Sequence, residues 1–172
     1  VIREGCDGIR IEDCRIYDGG AGGVKIVGSP SDGTPQGRTH GNKISGNIIN
    51  HCGRRYLSAC GVLVMHSYEN EISHNEISDL LYTGISCGWV WGYSDSVTRD
   101  NIISKNHIYN LGQGLLSDMG GVYLLGLQPG TIVSGNLIHD IKSREYGGWA
   151  LYTDEGSSYI TLENNICYNT SD

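Results

Sequence analysis

The chain has 172 residues, 26 of them Gly, 3 Pro and no Phe, and its 12 Lys plus Arg against 19 Asp plus Glu give a formal net charge of −7. A content of 38% hydrophobic and 18% charged residues is too apolar for a disordered chain, and no apolar run approaches the roughly 18 residues of a membrane-spanning helix. The acid excess and the scatter of Lys and Arg argue against a nucleic-acid surface, so neither nucleic acid nor membrane is expected as a partner.

In chain order, six short segments carry one pattern: Ile11–Ile16, Ile44–Ile49, Ile72–Ile77, Ile103–Ile108, Val133–Ile138 and Leu162–Cys167. Each opens on an apolar residue, has Asn three positions later and closes on an apolar residue two beyond. The first has Cys14 where the others have Asn47, Asn75, Asn106, Asn136 and Asn165. Successive members of that column lie 33, 28, 31, 30 and 29 residues apart. Between them fall short alternating segments at Gly23–Ile26, Gly61–Val64, Gly84–Cys87, Gly121–Leu124 and Trp149–Tyr152, which read as strands. No segment shows a helical stripe, and Pro30, Pro35 and Pro129 sit in loop-like contexts.

Strands and turns repeating near every 30 residues predict an all-β parallel solenoid of about five to six rungs. The whole of 1–172 forms one domain, expected to be a piece of a longer chain. The Asn column has a physical reason: stacked carboxamides at one bend bond the backbone and each other, and a buried amide is costly without that continuity. The open strand edges of the end rungs predict either missing flanking domains or end-to-end self-association. Most of Cys6, Cys14, Cys52, Cys60, Cys87 and Cys167 read as small buried thiols. The six His fall at different offsets from the Asn column and form no H-E-x-x-H, so no metal site is expected.

Rungs this long leave surplus residues for loops at 28–41, 53–60, 88–100, 110–120 and 142–149, which gather on the flank of a rigid rod as a groove. Two of these loops suit sugars. One holds Trp89, Trp91, Tyr93 and Asp95, and the other brings Tyr146 up to Trp149. Aromatic faces stack on sugar C–H faces, and carboxylates accept hydroxyl protons. The prominent carboxylates are Asp118, followed by Met119-Gly120-Gly121, and the pair Asp154-Glu155. Aligning the strands on Val24, Val62, Ile85, Val122 and Ala150 gives a column four residues later of Gly28, His66, Trp89, Gly126 and Asp154. Strict alternation would turn that column inward, so a bend after Tyr152 is expected, or else Glu155 faces out in place of Asp154. On a straight strand Asp118 and Asp154 would lie about 26 Å apart. They can cooperate only if the 110–120 loop folds back over the strand face.

The Asn-column repeat looks like that of right-handed parallel β-helix proteins, whose Asn ladder sits at one bend. The runs Tyr82–Trp89, Leu116–Tyr123, Leu127–Gly130 and Tyr152–Ser158 resemble those of bacterial carbohydrate-active β-helix proteins, most of all glycoside hydrolase family 141 and its uncharacterised relatives. The resemblance implies a glycoside hydrolase acting on a poly- or oligosaccharide, with Asp118, Asp154 and Glu155 as the catalytic carboxylates. Trp89, Trp91, Tyr93, His66, Tyr123 and Trp149 are the expected substrate-binding residues. It implies no cofactor, although Asp154-Glu155 has the oxygen donors that Ca²⁺ takes, and a secreted protein of the extracellular space or periplasm. Two alternatives stay open: a polysaccharide lyase, and a non-catalytic glycan-binding or structural solenoid.

Overall fold

The computed structural model describes residues 1–172 and is a parallel β-solenoid. Three sheets run along it. The first stacks Arg10–Glu12, Lys43–Ser45, Glu71–Ser73, Ile102–Ser104, Leu127–Ser134 and Ser158–Glu163. The second stacks Arg15–Tyr17, Ile48–Asn50, Glu76–Leu80, His107–Leu111, Leu137–Ile141 and Ile166–Thr170. The third stacks Val24–Val27, Val62–Met65, Ile85–Gly88, Met119–Leu124 and Gly148–Thr153. A short ladder of Thr39–His40 on Ser67–Tyr68 and a single 3-10 turn at Pro35–Gly37 complete the secondary structure. Six strands in two walls and five in the third agree with the expected number of rungs.

Similar apolar side chains stack on one another. In the first sheet Ile11, Ile44, Ile72, Ile103, Val133 and Leu162 are aligned in register. In the second, Ile16, Ile49, Ile77, Ile108, Ile138 and Cys167 are aligned. β-branched side chains have few rotamers to lose and fit a pleated wall, so Ile recurs wherever the pattern points inward. Residues 44, 49, 72, 77, 85, 103 and 108 are completely buried Ile, and with Val62, Val64, Val122 and Leu124 they form one continuous core.

The Asn column is a ladder at the bend between the first and second sheets. Asn47 donates its backbone N–H (3.0 Å) and its carboxamide N–H (2.9 Å) to Oδ1 of Asn75, and the same Nδ2 donates to the carbonyl of Ile11 at 2.9 Å. The motif recurs from Asn75 to Asn106, Asn106 to Asn136 and Asn136 to Asn165. A second ladder, absent from the sequence reading, runs through Asn42, Asn70 and Asn101 at the entry to the first sheet. It sits five residues before the first ladder. Ile9 at its start and Thr131 at its end broke the pattern in the sequence.

The cysteines correct one expectation. All six are free, and Cys52, Cys60 and Cys87 are buried, but Cys14 and Cys167 are exposed and Cys6 is half-buried. Burial pushes the thiols of Cys60 and Cys87 up to about 12, so both stay protonated and unreactive at neutral pH. We expect Ellman's reagent to label Cys14 in the native protein, and to reach Cys60 and Cys87 only after denaturation. Rapid native labelling of either would contradict the packing.

The register of the last strand also differs from the reading above. Val122 pairs with Leu151, not Ala150, and Tyr123 pairs with Tyr152. Ala150 instead packs on the core as the successor of Gly23, Gly61, Gly84 and Gly121, positions where a Cβ would meet the core Ile side chains or the stacked carbonyls. The shift by one residue puts Glu155, not Asp154, in the column of His66, Trp89 and Gly126. It also leaves Asp154 on the outer face.

Candidate active site

The outer face of the third sheet presents one residue per rung in register: Lys25, Leu63, Ser86, Tyr123 and Tyr152. On the last two rungs this column becomes aromatic, and the rings of Tyr123 and Tyr152 meet edge to face with centroids 4.9 Å apart. Trp89 lies 6.2 Å from Tyr123 on one side, and Trp149 lies 4.2 Å from Tyr152 on the other. Trp89 is fixed by an N–H bond from its Nε1 to Oγ of Ser86 at 3.0 Å, and its ring covers that serine, which is 1% exposed.

Each tyrosine holds one carboxylate. Tyr123 donates its hydroxyl to Oδ2 of Asp154 at 2.5 Å, and Tyr152 donates to Oδ1 of Asp118 at 2.9 Å. Burial, then the bond to Asp154, pushes the Tyr123 hydroxyl far above the ordinary tyrosine range. Burial, then Asp118 and Asp154 together, does the same for Tyr152. Both hydroxyls therefore remain protonated donors. Asp118 and Asp154 are thus held by two rings in contact, one acid on each hydroxyl.

The Asp118 side chain thus reaches the outer strand face at Tyr152, while its backbone stays in line with the strand. Local backbone explains this reach. Asp118 adopts φ +61, which turns its side chain over the sheet. Its backbone N–H bonds Tyr146 O at 3.1 Å, and its carbonyl accepts the Tyr82 hydroxyl at 2.7 Å. Gly120 has no Cβ, which would lie 3.1 Å from that of Tyr152, so the Tyr152 side chain can lie across the strand. Opposite Asp118, Gly147 has φ +70, and a Cβ there would sit 2.9 Å from the Asp118 Cα, so only glycine fits.

The other expected site residues are placed apart from this pair. Glu155 is exposed and lies against Gly92, in the loop that carries Trp91 and Tyr93. Those two rings are 58% and 78% exposed, and neither stacks on the cluster. His66 adopts φ +49 at the end of its strand and faces the Asp32 and Arg38 loop. Its Nδ1 is buried without a partner, and burial lowers its imidazole below the ordinary range. Asp154 is committed to Tyr123, and no three His, Cys, Asp or Glu side chains converge as a cation site would need. Tyr82 and Tyr152 were missed. Tyr152 was legible in the spacing, because it stands 29 residues after Tyr123, the same interval that separates Asn136 from Asn165.

A family model described as "Right handed beta helix region" matches residues 36–172. A solved structure named "Glycoside hydrolase" is 27% identical with a TM-score of 0.75, the match covering 93% of this chain and 31% of that one. The chain therefore spans less than a third of that neighbour's length. No curated protein matches it.

Proposed function

The chain belongs to the right-handed β-helix family, and on that premise we propose that it is the carbohydrate-active part of a glycoside hydrolase, with Asp118 and Asp154 as its paired carboxylates. The observation that carries this reading is that two tyrosines in edge-to-face contact each hold one acid, Tyr152 holding Asp118 and Tyr123 holding Asp154. Glycosidic cleavage uses two carboxyls roughly 5–10 Å apart, and neighbouring rings that each carry one acid suit that spacing. One acid protonates the departing glycosidic oxygen, and the other attacks the anomeric carbon or takes a proton from water that does so. Trp89, Tyr123 and Trp149 flank the pair and supply ring faces against which a sugar stacks. The neighbour named glycoside hydrolase supports the same reaction class.

Tyr152 and Tyr123 position the acids. Tyr152→Phe is expected to reduce kcat by about 10–100-fold, the worth of one hydrogen bond to a charged group. KM should change much less, because the phenyl ring and its packing remain. Turnover of a panel of 4-nitrophenyl glycosides by the wild-type protein and both Phe variants measures this. A Tyr152→Phe protein with undiminished kcat would remove the tyrosine from the reaction, and an inert wild type that binds glycans would favour a non-catalytic glycan-binding role.

A further inference from the structure

Beside the carboxylate pair lies a pocket of about 480 Å³ that the reaction as derived does not use. Trp89 and Tyr82 form its near wall, Leu63, Ala59 and Cys60 its floor and side, and Lys25 its far end. That volume is in the range of small-molecule sites, about 300–1,000 Å³. Trp89 also flanks Tyr123, and Tyr82 also holds the backbone of Asp118, so pocket and acids share two walls. The face is continuous: Lys25, Leu63 and Ser86 occupy the same outward column as Tyr123 and Tyr152 on successive rungs.

We propose that this pocket binds the sugars that continue the substrate chain away from the cleavage point, towards the first rungs and along the rod axis, and that it selects neutral glycans. The proposal rests on the hydrolase reading and extends it to substrate class. The walls argue for neutral rings: Leu63, Ala59 and Trp89 offer apolar contact for C–H faces, and the nearby charges at the acid end are Asp118 and Asp154. An anionic sugar resting on Trp89 would face those acids, with the pocket's cation, Lys25, at the opposite end. Lys25 stands three rungs from Tyr123, about 14 Å away. Arg10, Lys43, Arg54 and Arg99 are engaged with Glu12, Glu71, Asp79 and Glu69.

Chain length is the test. Wild type is assayed on 4-nitrophenyl glycosides, on cello-, xylo- and galacto-oligosaccharides of increasing length, and on oligogalacturonides. For a neutral series that is cleaved, kcat/KM is expected to rise with length. Ser58→Trp, which fills the pocket from an exposed loop position, and Leu63→Ser are expected to cut kcat/KM on the longest chain about tenfold more than on the aryl glycoside, the scale of one lost aromatic or apolar contact. Calorimetry on Asp118→Asn reads the same site without turnover: longer neutral chains bind more tightly, and adding Ser58→Trp removes the gain. Thermal melting confirms that each variant is folded. Affinity independent of length, or oligogalacturonides bound in preference to neutral chains, overturns the proposal. A wild type that cleaves nothing counts against the hydrolase reading alone, because the calorimetric comparison still decides the pocket.

Discussion

Asp118→Asn and Asp154→Asn are each expected to lower kcat about a thousandfold, within the range that a positioned acid or base contributes. Neither change should unfold the protein. Asn has the shape of Asp, and its Oδ1 still accepts the hydroxyl of Tyr152 or Tyr123, so the aromatic cluster keeps its packing. Thermal melting should therefore shift little while turnover collapses. The double variant should be scarcely worse than either single one, because the two acids act in one transition state and their losses do not add. The assay is kcat on whichever aryl glycoside the wild type accepts, with binding followed separately. A variant retaining most of its kcat would exclude that residue from the chemistry. Glu155→Gln is the comparison: exposed and turned towards Gly92, it should cost far less than either Asp.

The largest loss of stability is expected from Asn106→Ala. Asn106 is 1% exposed, and its Oδ1 receives both the backbone and side-chain N–H of Asn75. Its Nδ2 donates to the carbonyl of Ile72 and to Asn136. Truncation leaves the buried Asn75 N–H without an acceptor and removes three further bonds, to Asn75 Nδ2, the Ile72 carbonyl and Asn136. At roughly 1–3 kcal/mol for the unsatisfied amide and about 1 kcal/mol for each other bond, the sum is about 4–6 kcal/mol. For a domain of this size that lowers Tm by about 10–20 °C. Hydrogen exchange locates the damage: the Asn75 amide should lose protection, while that of Asn106, still bonded to Asn136, should keep it. Asn165→Ala, at the half-buried end of the ladder, should cost much less. Equal melting temperatures for the two variants would mean that the ladder contributes little.

The rungs were legible in the sequence because their cause is local and repeated: Ile at two fixed offsets and Asn between them recur through six coils. The second ladder was hidden because only three consecutive positions carry Asn. The site was half legible. Asp118, Asp154, Trp89, Tyr123 and Trp149 were singled out by residue type, yet the strand offset of Ala150 was wrong by one, which misplaced Asp154 and hid Tyr152. Whether Asp118 could reach the strand face at Tyr152 depended on a left-handed backbone at Asp118 and a missing Cβ at Gly120. Two Gly in sequence suggest such freedom without saying which way the chain turns. Trp91 and Tyr93 show the reverse: a run rich in aromatics whose rings the loop leaves in solvent.

The ladders also have a direction. Each carboxamide oxygen accepts from the coil before it, from Cys14 to Asn47 and from Ile9 to Asn42 onward, while Nδ2 of the first ladder's Asn reaches back to that coil's carbonyl. A carboxamide is thus a service rendered to the coil before it: Asn47 and Asn42 receive the backbone N–H groups of Cys14 and Ile9. A duplicated coil therefore joins the stack in only one orientation.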